Sequence, residues 1–403
     1  MVKFFVVLCS AFSIVSAAYG VYFAIVSLFG LKKSPIYPER QEKLHFAVLI
    51  PARNEENCIV GIIESIQKQD YPRDLIDIYV IPNNCTDRTA YVAEQCGAKI
   101  LNVSGAVRSK GQALHEAFEQ LLRTEHHDAY CVFDADNELS TSFLLEMNKA
   151  LSHARVAKSR IFAKNSHESW VCGCYDIFFC NANLLLNRAR QNIGLSARLI
   201  GTGFAVRRDL MVELGGWSTD TLTEDAEFYA NLSVRGERIA FVPDAVTYDE
   251  EPLSFRQSMV QRRRWMSGIM EVAKRKSAGL LSSVLCHGGW CAFDCLLQLS
   301  FAFIQAWMIP MFLVDVLVDP SAALIGLPVS IAAFYCSTFT IGFASLLFEK
   351  RLTRKSVVAL VLYPLFVFSF LPLQTLSLIA PNRQWKPIVH TGVRLRCREA
   401  GKE

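Results

Sequence analysis

Between Lys3 and Lys32 the chain carries no charged residue. The run from Phe4 to Leu31 is longer than the ~20 residues that cross a bilayer and longer than the ~7–15 apolar residues of a cleaved secretion signal, so it reads as a membrane helix. An excess of one charge is also missing. The net charge of +4 supplies no concentrated basic face, which argues against nucleic acid as a partner. The 13 cysteines include no CxxC pair; Cys172 and Cys174 form only a CxC, with no histidine near enough for a cysteine-based zinc motif. They read as reduced thiols filling apolar space, in keeping with a domain facing a reducing cytosol.

Apolar residues make up 52% of the chain and mean hydropathy is +0.24, but the excess sits at the two ends. The expected organisation is a transmembrane helix over 1–33, a cytosolic α/β domain over 44–276, an interfacial helix over 277–290, transmembrane segments over 291–382 and a basic tail over 383–403. Lys32 and Lys33 follow the first span and place the central domain on the cytosolic side, because basic residues favour that side. Three apolar stretches follow, bounded by Asp294 and Asp315, by Asp319 and Glu349, and by Lys355 and Arg383. Pro364, Pro372 and Gln374 in the last of them point to a kinked or re-entrant segment that leaves the tail cytosolic.

In the middle, strand patterns over 44–51, 77–82, 98–103 and 129–133 alternate with helix patterns over 55–69, 86–96 and 110–123. Such alternation predicts an α/β fold with a largely parallel sheet, in which ligands gather beyond the carboxyl ends of the strands. Polar residues stand there: Arg53, Asn54 and Glu55, then Asn83, Asn84 and Asp87, then Asp134, Asp136 and Asn137.

Asp134 and Asp136 end an apolar strand one residue apart. Their mutual repulsion is relieved by a hard divalent cation that also takes phosphate oxygens. Lys110, in Ser109-Lys110-Gly111, opens a helix whose first amides suit an anion, although the same pattern serves as a plain helix cap. Glu224 and Asp225 open another helix. Acids there favour the helix dipole, and one of them is also placed to act as a general base. Gln261, Arg264 and Trp265 recur at helical spacing and share a face, offering an amide, a fixed cation and an indole. Arg262 and Arg263 point elsewhere and fit a basic helix beside anionic lipid.

The ordered set PARNE, NNCTD, SKG, DAD, GTGF, TED and QRRRW, spread from about Phe46 to Met270, resembles the family 2 glycosyltransferases, especially the processive synthases of cellulose, chitin, hyaluronan and poly-N-acetylglucosamine. The resemblance implies a GT-A fold, Rossmann-like and largely parallel, and an inverting single displacement from a nucleotide-sugar donor, UDP-linked, onto a growing polysaccharide at the plasma membrane. It implies donor binding by Pro51, Arg53, Glu55, Asn83, Lys110, Asp134 and Asp136, with Mg²⁺ or Mn²⁺ on the two aspartates. Asp225, with Glu224 beside it, would be the base. Gly203, in Gly201-Thr202-Gly203, would floor the acceptor site, and Gln261, Arg264 and Trp265 would meet acceptor and diphosphate. The tail from Gln384 to Thr391 resembles a gating segment. The family usually has an acid after the second strand, where this chain has Pro82 and Asn83; an asparagine amide still pairs with a uracil edge, since it donates and accepts. Two other functions compete: transfer of one sugar to a lipid or carrier, and a catalytically inactive subunit.

Overall fold

The structure, a computed structural model, describes residues 2–382 and residue 392. Eight strands form one sheet: β1 (Phe46–Ala52), β2 (Ile76–Pro82), β3 (Lys99–Ile100), β4 (Ala129–Val132), β5 (Glu138–Leu139), β6 (Val156–Ala163), β7 (Phe204–Arg207) and β8 (Ile239–Asp249), in the order β3-β2-β1-β4-β7-β6-β8-β5. The first half is parallel, as the alternation predicted. The second half is mixed: β7 runs antiparallel to both β4 and β6, β5 runs antiparallel to β8, and only β6 and β8 are parallel.

The first ten helices are α1 (Val2–Leu28), α2 (Ile59–Gln67), α3 (Thr89–Gln95), α4 (Lys110–Thr124), α5 (Phe143–Ala150), α6 (Trp170–Asn181), α7 (Ala189–Asn192), α8 (Arg208–Leu214), α9 (Glu224–Val234) and α10 (Phe255–His287). A π-helical stretch, Ala182–Arg188, joins α6 to α7. Then come α11 (Trp290–Val318), α12 (Pro320–Phe348), α13 (Ser356–Phe368) and α14 (Phe370–Ile379).

Alternation along β1 decides which helices cover which face of the sheet, since successive side chains point to opposite sides. Ala47 and Leu49 pack with Leu114 and Phe118 of α4 and with Trp217, whose ring stacks on Phe118 and Phe204. Phe46, Val48 and Ile50 pack with Ile59, Ile62, Ile63 and Ile66 of α2 and with Phe143 of α5. Helix α2 begins at Ile59 and not at Glu55, because Asn54 turns left-handed (φ +59°) and the Glu55 amide donates to Thr89 Oγ1 at 2.8 Å. The third strand is two residues long, shorter than its sequence pattern.

Among the described residues, four helical segments are long and apolar enough to cross a membrane: Lys3–Leu31, Trp290–Val318, Pro320–Phe348 and Ser356–Ile379. The expected separate interfacial helix is instead the end of α10, one continuous helix of 33 residues that begins before the QRRRW sequence. The last apolar segment is broken at Ser369, between α13 and α14.

Arg262 explains how the break is tolerated. Its side chain is fully buried and was misread from the sequence as lipid-facing. Its guanidinium donates to the Phe366 carbonyl at 3.0 Å and to Ser369 Oγ at 2.8 Å, and it lies over the Phe366 and Phe370 rings at 4.1 and 4.6 Å. Arg263 donates to the Ala380 carbonyl at 3.0 Å, closing the end of α14. Both arginines therefore cap broken helix ends whose carbonyls lack intrahelical donors.

A second tie joins the sheet domain to the first two spans. Arg190 makes a bidentate pair with Asp294 at 2.7 and 2.9 Å, and Tyr22 of α1 donates to Asp294 at 2.7 Å.

Replacing Arg262 by leucine removes charge-assisted bonds worth about 1.5–3 kcal/mol. The variant is expected to unfold earlier by that amount in detergent, whereas Arg264→Leu, which breaks no hydrogen bond among the described residues, is expected to unfold like the wild type. Equal stability of Arg262→Leu and wild type would remove the capping role.

Candidate active site

The carboxyl ends of β1, β2 and β4, the amino ends of α4 and α9, and one face of α10 surround a single cavity of about 600 Å³. Its walls include Pro51, Arg53, Glu55, Asn83, Lys110, Asp134, Asp136, Glu224, Asp225, Gln261, Arg264 and Trp265. These are the residues that the sequence nominated, with Gly203 as the exception. Gly203 has φ +66°, and a Cβ there would strike Ser159 Oγ and Thr247 Oγ1. Its missing side chain makes room for strands β6 and β8 underneath the wall, so Gly203 does not floor the cavity, and Gly201 is the glycine that faces it. The tail from Gln384 to Thr391 lies outside the described residues.

Other loop-end residues are used internally. Asn54 accepts from the Thr86 amide at 2.7 Å. Asn84, left-handed at φ +52°, donates to the Val107 carbonyl at 2.6 Å. Asp87 accepts from the Thr89 amide at 3.0 Å and the Glu56 amide at 3.1 Å, which opens α3 and ties two loops together. Asn137 donates to Asp249 at 2.7 Å and accepts from the Asp134 amide at 3.1 Å.

Lys110 sits at the centre of the charge pattern. Its ammonium donates to Asp134 Oδ1 at 2.6 Å and to the Gly201 carbonyl at 2.8 Å, and lies 3.3 Å from Glu224 Oε1. Burial works against its charge, but Asp134 and Glu224 outweigh that and raise its pKa above the ordinary lysine value. Three protons meet three acceptors, so contact with a donor phosphate requires Lys110 to exchange one of them. Gly111 allows the helix start this close: a Cβ would lie 2.7 Å from Thr219 Oγ1 and 3.3 Å from Glu224 Cβ.

Asp225 Oδ2 accepts from the Gly201 amide at 2.6 Å, which fixes the carboxylate in the cavity wall. Burial raises the Glu224 carboxyl above its usual range, and Lys110 only partly offsets this.

Asp249, Glu250 and Glu251, where β8 ends beside Asp136, belong to none of the motifs noted above. The Glu250 amide donates to Asp136 Oδ2 at 3.2 Å, and the Lys164 ammonium lies 3.4 Å from Glu250 Oε2 and 2.7 Å from the Asp136 carbonyl. Burial, then the charge of Asp136, pushes the Asp249 and Glu251 carboxyls well above the carboxylate range. Three acids followed by Pro252 at a strand's carboxyl end are the signal that could have exposed them. Arg198 also lines the cavity and had no motif to mark it.

Such a concentration of acids fits a divalent cation. Asp134, Asp136, Asp249 and Glu250 line the cavity together, and a hard cation takes carboxylate and phosphate oxygens together.

On α10, Gln261 accepts from the Tyr175 hydroxyl at 2.7 Å, and the Trp265 ring meets Tyr175 edge-on at 6.0 Å. Arg264 makes no hydrogen bond or ion pair with any described residue and is a fixed cation in the cavity wall.

Residues 43–268 match the model of the glycosyltransferase-like family 2. The chain belongs to this family. Among its relatives, a probable glycosyltransferase, YdaM, of Bacillus subtilis is 30% identical over 247 residues, 58% of this chain and 57% of that protein. The beta-monoglucosyldiacylglycerol synthase of a Nostoc species is 24% identical over 237 residues, 57% of this chain and 50% of that one. The poly-beta-1,6-N-acetyl-D-glucosamine synthase of Staphylococcus aureus is 25% identical over 281 residues, 68% and 65% of the two chains. The matches thus span about half to two thirds of the relatives' length. The solved mannosyltransferase PcManGT of Pyrobaculum calidifontis, in complex with GDP-Man and Mn²⁺, superposes with a TM-score of 0.61 at 18% identity, covering 90% of this chain and 99% of its own. That likeness shows the fold: the sheet domain is a GT-A domain, with its mixed half beside the parallel one.

Beneath the Gly201–Gly203 turn of this family 2 domain lies Lys158, fully buried, donating to the Thr202 carbonyl at 2.8 Å. Burial lowers its pKa to about 7. Between about pH 7 and the ordinary lysine value the unfolded chain holds a proton on Lys158 that the folded chain lacks, so this group makes stability rise with pH. The stability of wild type relative to Lys158→Met is therefore expected to increase from pH 7 to pH 9, read from paired denaturation curves. A difference that is flat with pH would show Lys158 charged in the fold.

Proposed function

We propose that the protein transfers a sugar, with inversion, from a nucleotide-sugar donor to a saccharide-ended acceptor at the membrane, on the cytosolic side. The observation that carries this reading is the shared cavity. It holds Asp134 and Asp136, Asp225, and the Gln261, Arg264 and Trp265 face in one wall system. Asp225 accepts the proton of the acceptor hydroxyl, whose oxygen attacks the anomeric carbon from the side opposite the nucleotide. The bond to the diphosphate breaks with its electron pair, and the nucleoside diphosphate leaves. Arg264, a cation with no competing partner among the described residues, stabilises that departing charge. Asp134 and Asp136 would hold Mg²⁺ or Mn²⁺, which supplies charge neutralisation for the diphosphate. Asn83 is buried in the wall, its Oδ1 accepting from Asn84 Nδ2 at 3.0 Å; exchange of that bond lets its amide pair with a nucleotide base, and UDP is the donor carrier we favour. Trp265 offers its ring to the terminal sugar of a growing glycan.

A second reading, one sugar added to a lipid acceptor, is supported by the far end of the same cavity. That end is walled by Phe23 of α1, Phe301 and Ala302 of α11, and Val367 and Phe370 at the α13–α14 break. These side chains suit an acyl or isoprenoid chain entering from the bilayer. Both kinds of product have a precedent among the named relatives.

Asp134→Asn and Asp136→Asn are expected to abolish transfer, as is chelation of the wild type; full turnover in excess chelator would end the metal role. Asp225→Asn should keep donor affinity and lose about 10²–10⁴-fold in turnover, the range for a general base. Loss of donor binding with it would make Asp225 a donor ligand. For Trp265→Ala, chain extension should fail while slow donor hydrolysis persists. Labelled product that extracts into organic solvent, in wild type and variant alike, would decide for the lipid acceptor.

A further inference from the structure

At the opposite end of the parallel strands, three side chains converge that no step above uses. His45 precedes β1, Asp77 is the second residue of β2 and His127 stands just before β4, so the group bridges three adjacent strands. The His45 and His127 Nε2 atoms lie 2.9 and 3.0 Å from the same oxygen, Asp77 Oδ2. All three ligand atoms lie within 4.8 Å of one another. The other carboxylate oxygen, Oδ1, is held by the Lys99 ammonium at 2.9 Å. The His127 side chain is fully buried, whereas His45 and Asp77 are 30% and 23% exposed, so the cluster has one closed wall and one side open to solvent.

We infer that His45, Asp77 and His127 form a second metal site, for a borderline divalent cation of the Zn²⁺ class, separate from the Asp134–Asp136 site. Two imidazole nitrogens and one carboxylate oxygen are the donor set such an ion takes, with its fourth position left to water on the open side. The donors stand in or just before the amino ends of three adjacent strands of one sheet, so they are held in place before any ion arrives. Lys99 binds the oxygen that does not face the imidazoles. It orients the carboxylate without occupying its ligand atom, the part that outer partners of metal ligands commonly play. The bland alternative is an ion-paired knot in which both imidazoles donate to Asp77. It accounts for the distances, but it takes up no metal, and this separates the two.

The chemistry also differs from that of the active site. Mg²⁺ and Mn²⁺ prefer oxygen donors, so the pair at Asp134 and Asp136 and the imidazoles at His45 and His127 sort ions by ligand type. Strand β1 is seven residues long, which at ~3.3 Å per residue separates the two sites by roughly 20 Å. An ion here takes no part in sugar transfer; it clamps the amino ends of β1, β2 and β4.

The test uses the full chain in detergent, stripped with chelator and titrated with Zn²⁺ by calorimetry and with Co²⁺ by visible absorption. Wild type and the Asp134→Asn/Asp136→Asn double variant are expected to bind one equivalent of Zn²⁺ at this site and to give the ligand-field bands of four-coordinate Co²⁺. His45→Gln, at a partly exposed position that a similar polar side chain fills, is expected to lose that equivalent and the bands while keeping wild-type melting in the absence of metal. Zn²⁺ should raise the melting temperature of wild type and leave that of His45→Gln unchanged. Absence of Zn²⁺ binding in the double variant would overturn the site, as would binding that survives both His45→Gln and Asp77→Asn. Neither result depends on sugar transfer, so the outcome is independent of the reaction proposed above.

Discussion

The break between α13 and α14 is the constraint on which the joint between sheet domain and membrane helices depends. Carbonyls exposed in an apolar setting must find donors within the protein. Arg262 supplies them from inside the QRRRW sequence, and Arg263 does the same at the end of α14. One helix therefore performs two tasks on different faces. Gln261, Arg264 and Trp265 face the cavity, while the arginines between them hold the membrane segment. The position of the cation and indole relative to the bilayer is fixed by the same turn of helix.

Charge balance is the second constraint. Strands β4 and β8 deliver Asp134, Asp136, Asp249, Glu250 and Glu251 to one place, and α9 adds Glu224 and Asp225. Lys110 and Lys164 offset part of this. Glu224, Asp249 and Glu251 are raised in pKa by burial and by neighbouring acids, the electrostatic setting in which a divalent cation lowers the energy. A lysine already fastened to Asp134 gives the site a defined shape before ligands arrive.

Much of this was legible from local pattern. Strand and helix patterns located β1, β2, β4 and α4, and the rule that ligands lie beyond strand ends selected Arg53, Glu55, Asn83, Asp134 and Asp136, all of which face the cavity. The same rule overreached at Asn54, Asn84, Asp87 and Asn137, whose side chains are engaged in holding the loops. Short polar side chains serve either purpose, and only the neighbouring backbone distinguishes them. Gly203 misled for a similar reason. A glycine signals close approach, and the approaching atoms belonged to Ser159 and Thr247, not to a ligand.

The sequence by itself determined the four apolar segments, the parallel half of the sheet and the acids that follow its strands, because each depends on periodicity or on residues within a few positions of one another. The tertiary structure alone decided the antiparallel insertion of β7, the burial of Arg262, the acids that end β8 beside Asp136 and the meeting of His45 with Asp77 and His127. Those contacts join residues tens to more than a hundred positions apart. Their energies come from desolvation and charge pairing between neighbours that no local spacing specifies.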